Sequence, residues 1–158
     1  MKFKQILSGI VALSVLSGCS VFPIQTSVEA GHSRLENFIL DDGTRLEQIR
    51  LMCYRNKLND RSSARQLEAG DHALWVKARI ETRGLPNRTL EGYAQLNAKL
   101  HEGKEYTLNR KVEDDSITLW IQELDSNQRV SEVASIELQQ PVFNNAAWQR
   151  SQCKSSTV

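Results

Sequence analysis

Two stretches of strict alternation constrain this chain more than anything else in it. From His72 to Ile80, Leu74, Val76, Ala78 and Ile80 fall on one side and Ala73, Trp75, Lys77 and Arg79 on the other. From Tyr93 to Leu100 the pattern repeats, with Ala94, Leu96, Ala98 and Leu100 set against Gln95, Asn97 and Lys99. A period of two over eight residues is the mark of a half-buried strand, because successive side chains of a strand point to opposite faces. Between the two stretches, Thr82 to Arg88 holds Gly84 and Pro86, which break any regular element.

The flanking sequence reads the same way. Leu35 to Leu40 predicts a strand, and Asp41-Asp42-Gly43-Thr44 predicts a turn, since Asp-Gly suits positive φ. Arg45 to Leu58 is ambiguous. Leu46, Ile49 and Cys53 fit helical spacing, whereas Ile49, Leu51 and Cys53 fit strand spacing; we read a strand over Gln48–Tyr54. Asn59 to Ser63 is a polar connection. Strands are expected over Glu105–Val112 and Ser116–Glu123, joined at Asp114-Asp115, and over Arg129–Leu138, which would pair back as a hairpin after a turn at Asp125–Gln128. Pro141 ends that run, and Asn144–Cys153 forms a short terminal helix or coil. About seven short strands at regular spacing predict a mainly β domain, an antiparallel β-sandwich or small barrel. No long helical run alternates with them, so a parallel α/β sheet is not expected.

The N-terminus has a different character. Lys2 and Lys4 precede an apolar run from Ile6 to Leu16. As a helix that run would rise about 16 Å, too short for a hydrocarbon core of roughly 30 Å. It has the length and flanks of a secretory signal peptide. Leu16-Ser17-Gly18-Cys19 resembles the lipobox of bacterial lipoproteins, a Leu and two small residues before a Cys. The resemblance covers residues 1–19. It implies cleavage after Gly18 and acylation of Cys19, which makes the lipid bilayer a partner; two or more acyl chains anchor stably where one does not. In that family an Asp after the Cys resembles an inner-membrane retention signal. Ser20 stands there instead, which implies the periplasmic face of the outer membrane. The expected organisation is a signal peptide over 1–18, a lipidated N-terminus and tether over 19–33, a β-rich periplasmic domain over 34–153 and a tail over 154–158.

Charge agrees with an anchor of this kind. The chain of 158 residues carries 20 basic and 19 acidic residues. Removing Lys2 and Lys4 with the signal leaves 20 − 2 = 18 basic residues against 19 acidic ones. So neutral a domain has no electrostatic footprint for nucleic acid and no polybasic stripe for anionic lipid. Lipidation of Cys19 leaves Cys53 and Cys153. In a disulfide-permissive compartment an even remainder reads naturally as a bridge; two buried free thiols are the alternative.

No catalytic constellation emerges. His32, His72 and His101 lie far apart with no ligand partner at metal spacing, so no metal or cofactor is expected. Asp41-Asp42 and Asp114-Asp115 read as turn residues, because neighbours on a strand point opposite ways. Leu67–Leu74 and Leu100–Leu108 echo each other, each with a Gly before a strand; these leader turns resemble those of small periplasmic lipoproteins and PEGA-type β-modules. Trp75 and Trp120 are predicted opposite the aliphatic face and are candidates for an interaction surface, since Trp is enriched in binding hot spots. The expectation is a non-catalytic accessory or protein-interaction module of the envelope, with an envelope protein as partner. The alternatives are a binding protein for a small envelope ligand, such as a glycan or lipid fragment, and a hydrolase with a site assembled from distant residues.

Overall fold

A computed structural model describes residues 27–158 except Leu85 and Asn87. Leu16, Ser17, Gly18 and Cys19 lie outside the described residues, as do the signal peptide and most of the tether. The chain is mainly β. Two sheets pack face to face. The first contains β1 (His32–Glu36), β6 (Arg65–Glu68), β9 (Glu105–Glu113), β10 (Ser116–Glu123) and β11 (Ala134–Glu137), in the order β11-β10-β9-β1-β6. The second contains β2 (Phe38–Asp41), β3 (Arg45–Leu51), β7 (Gly70–Thr82) and β8 (Arg88–Leu100), in the order β2-β3-β7-β8. A two-stranded ribbon of β4 (Cys53–Tyr54) and β5 (Lys57–Leu58) and a terminal helix α1 (Ala146–Cys153) complete the domain. All neighbouring strands are antiparallel except β1 and β9.

The alternating stretches form the long pair β7–β8. Leu74 faces Leu96, Val76 faces Ala94 and Ile80 faces Leu90. All six are buried, together with Ile49 and Leu51 of β3. The opposing sheet contributes Leu35, Leu67, Tyr106, Leu108, Ile117, Leu119 and Ile121 to the same core. Ser116–Glu123 forms a strand with the predicted bounds.

Elsewhere the chain departs from its sequence reading. The strand expected over Leu35–Leu40 is two strands in different sheets. Asn37 is the crossing point, and its side chain replaces ladder bonds: Oδ1 accepts from Leu51 N at 2.8 Å, and Nδ2 donates to Ser62 O at 3.0 Å. Arg129–Leu138 does not form one long hairpin strand. Arg129 bridges to Gln122 of β10 and Ala134–Glu137 pairs with the same strand, but between and after them Ser131 bridges to Ala98 and Gln139 to Glu91. The segment thus runs between the edges of the two sheets and partly closes the sandwich. Gly92 makes room for it, since a Cβ there would lie 2.8 Å from Ile136 Cδ1. The tether expected to end at Ser33 is already tied down before that point. Gln66 Nε2 donates to Ser27 O at 2.9 Å, and Ser33 is buried in β1. Residues 154–158 are no free tail either: Ala73 N donates to Thr157 Oγ1 at 3.0 Å, and Ser156 is buried.

One charged pair joins the sheets. Glu47 is buried on the inner side of β3, and its Oε2 accepts from Arg110 Nε of β9 at 2.6 Å. Arg45 Nε lies 2.9 Å from Glu47 Oε1, and the Arg110 guanidinium stacks over the Phe38 ring at 4.1 Å. Removing one member of such a pair leaves a charge without its partner, which is worse than removing both. Glu47→Ala is therefore expected to destabilise the protein by about 2–4 kcal/mol. The double substitution Glu47→Gln with Arg110→Met is expected to recover much of that loss. Urea denaturation of the two variants and the wild type checks this; equal losses for the single and double variants would contradict it.

Candidate functional site

Strand parity gives the second sheet a polar outer face. Gln48 and Arg50 project from β3, Trp75, Lys77 and Arg79 from β7, and Glu91 and Tyr93 from β8, all opposite the core residues of the same strands. Register sets Arg50 beside Lys77, Gln48 beside Arg79, and Lys77 beside Tyr93.

Helix α1 packs on this face. At eight residues it is too short to hold itself in water, and its N-cap, Asn145, makes no side-chain capping bond. Two contacts fix it instead. Trp148 meets Trp75 edge-on, with ring centroids 6.0 Å apart, and Tyr93 with centroids 5.1 Å apart. At its other end Cys153 is bonded to Cys53, with the Cα atoms 5.2 Å apart. Both cysteines are fully buried and form a satellite cluster with Met52, against which Leu58, Trp75 and Tyr93 pack. The bridge expected from cysteine arithmetic is present.

A polar chain runs beneath the helix. Gln149 Nε2 donates to Tyr93 Oη at 2.9 Å, Tyr93 Oη donates to Glu91 Oε2 at 2.9 Å, and Lys77 Nζ lies 2.8 Å from Glu91 Oε1. Burial raises the pKa of the Tyr93 phenol, and its hydrogen bond to the Glu91 carboxylate raises it further.

Beside the aromatic cluster, the ribbon and the helix wall off a groove of about 240 Å³. Its floor carries Arg50, Lys77 and Arg79, with Asp60 at the rim. Lys77 is paired with Glu91, and Arg79 lies 3.3 Å from Glu81. Among the described residues no carboxylate lies within ion-pair distance of Arg50, and its Nε is buried without a hydrogen-bond partner.

The two tryptophans singled out from the sequence are not brought together. Trp75 is half-buried beneath Trp148. Trp120 belongs to the other sheet, where Arg129 stacks over its ring at 4.8 Å and its Nε1 donates to Gln122 Oε1 at 3.3 Å. The histidines sit in local networks: His32 Nδ1 donates to Ala30 O at 3.0 Å and His72 Nε2 to Glu68 O at 2.7 Å, while the His101 backbone N donates to Tyr106 Oη at 2.9 Å. Among the described residues no group of three or more His, Cys, Asp or Glu side chains is placed to hold a metal, and no helix is long and apolar enough to cross a membrane. Sequence reasoning missed Arg50, Tyr93 and Trp148. The phase of Ile49 and Leu51 already put Arg50 on the outer face, but nothing local showed that the C-terminus would cover it.

No protein-family model matches the chain, and neither a curated protein nor a solved structure is similar to it.

The Tyr93 network has a measurable pH signature. The folded phenol ionises above the ordinary tyrosine value near 10, so this group's contribution to stability is complete below that value and is lost as pH rises through the folded pKa. Ultraviolet titration is expected to show the Tyr93 phenol ionising late, and to show that step moving to lower pH in Glu91→Gln. An unchanged titration in that variant would contradict the network.

Proposed function

We propose that this chain is a lipid-anchored envelope protein, held through acylated Cys19 on the periplasmic face of the outer membrane. There its β-sandwich serves as a non-catalytic accessory or protein-interaction module. The observation that carries the reading is the Cys53–Cys153 disulfide. Stable bridges of this kind belong to oxidising compartments, which is where the signal peptide and the lipobox-like Leu16–Cys19 would deliver the chain. The bridge also supports an odd cysteine set aside for lipid, since the other two are consumed by each other. A second reading, a binding protein for a small envelope ligand, is supported by the walled groove beside α1, where Arg50 lacks a counter-charge.

The anchor is tested by metabolic labelling of the full chain with an alkyne fatty acid in a Gram-negative host. Wild type is expected to take up label and to react with a thiol-specific reagent only after reduction. Cys19→Ser is expected to lose the label and accumulate as the longer precursor. Label retained in Cys19→Ser would overturn the anchor. Crosslinking in native envelopes then separates the roles: a defined protein partner is expected, and a lipidated, folded chain that captures none would overturn the accessory role.

A further inference from the structure

The groove beside α1 sets two like charges side by side. Arg50 and Lys77 are direct cross-strand partners on the outer face of the second sheet. Like charges in that position repel, and only Lys77 has an acid to answer it, Glu91 at 2.8 Å. Arg50 is half-buried, its Nε has no partner, and no acid of its own sheet or of the ribbon and helix beside it comes within ion-pair distance. Asp60, also in the lining, is exposed at the rim and pairs with no cation among the described residues. A guanidinium presents a planar fork suited to carboxylate and phosphate.

The rest of the lining narrows the ligand further. Gln48 brings an amide with a donor and an acceptor end to the groove, and Gln149 brings its amide oxygen, its Nε2 being committed to Tyr93 Oη; the Asn59 amide, also in the lining, is already bonded at both ends, to Leu51 O and from Arg65. Met52 and Leu58 supply an apolar side. Amides with an apolar wall suit a ring that carries hydroxyls on its edges and C–H groups on its faces. A volume of about 240 Å³ lies below the range of roughly 300–1,000 Å³ usual for drug-sized ligands, so the site takes one small group. We propose that the groove binds a hydroxylated oxyanion of about monosaccharide size, a sugar acid or a sugar phosphate. Arg50 holds the anionic group with Lys77 beside it, and Asp60 accepts from a hydroxyl at the rim. This inference rests on the ligand-binding reading and gives it a location and a chemical class.

Calorimetric titration of the full chain in neutral detergent tests it, with glucuronate, glucose 6-phosphate and uncharged glucose as probes. At least one of the two anions is expected to bind at least tenfold more tightly than glucose. Arg50→Gln is expected to weaken that binding at least tenfold, and Lys77→Gln to weaken it by a smaller factor. The disulfide and the tryptophan fluorescence should be unchanged in both, and Lys77→Gln carries the test if Arg50→Gln does not fold. Glucose binding as tightly as both anions would overturn the proposed class. Anion binding unaffected by the substitutions would overturn the location and leave the ligand-binding reading standing. Binding of no probe would overturn both.

Discussion

The β7–β8 pairing is the constraint on which the rest of the domain depends. Its register is continuous from Gly70–Leu100 to Thr82–Arg88, and side-chain direction on a strand alternates without exception along such a ladder. A slip of one residue would turn Leu74, Val76, Ala78 and Ile80 out of the core and drive Trp75, Lys77 and Arg79 into it. Fixing the register therefore fixes two surfaces at once. The inner one joins the core shared with the opposing sheet; the outer one becomes the floor on which the C-terminus packs. Core and candidate site are opposite faces of the same sheet, with the groove floor on β3 and β7.

The outer face needs a cover, and the sequence provides only a short one. Helix α1 is marginal by itself, so its position depends on the Trp148 contacts and on the Cys53–Cys153 bond. The bridge spans a sequence separation of 100 residues. In the chain-entropy model a loop of that size is worth about 4–5 kcal/mol, often less in practice. That constraint fastens the helix beside the ribbon, so the groove has two walls. The neighbouring β4–β5 turn has only two residues between the paired Tyr54 and Lys57, with both Arg55 and Asn56 at positive φ. Neither is Gly, so the conformation carries some strain. The turn keeps Leu58 and Asn59 close to the sheet, where Asn59 Nδ2 donates to Leu51 O at 3.0 Å.

Much of this was legible in the sequence wherever one face of a strand is wet and the other dry. β7, β10 and the Tyr93–Leu100 part of β8 read cleanly because their alternation is strict, whereas Arg88–Gly92 of β8 did not. The Asp41–Thr44 turn read cleanly because its chemistry is local: Asp42 Oδ1 accepts from Thr44 N at 2.8 Å and from Arg45 N at 2.6 Å, with Gly43 at positive φ. The crossing at Asn37 was hidden, since a side-chain amide can stand in for ladder bonds without any Gly or Pro to announce it. The ribbon was hidden for a similar reason, because Tyr54-Arg55-Asn56-Lys57 has no glycine at its corner. β6 and the interrupted path after Arg129 depend on partners distant in sequence, which periodicity does not report. The cysteine pair was legible by counting. The groove was not, because Arg50, Asn59, Lys77 and Gln149 come from four separate segments.

The disulfide fastens α1 over a sheet that stands without it. Hydrogen–deuterium exchange on the full chain, oxidised and after selective reduction of Cys53–Cys153, tests this. Reduction is predicted to raise exchange across Ala146–Cys153 and the β4–β5 ribbon while β7 and β8 stay protected. Unchanged protection of the helix after reduction, or loss of protection throughout both sheets, would contradict it.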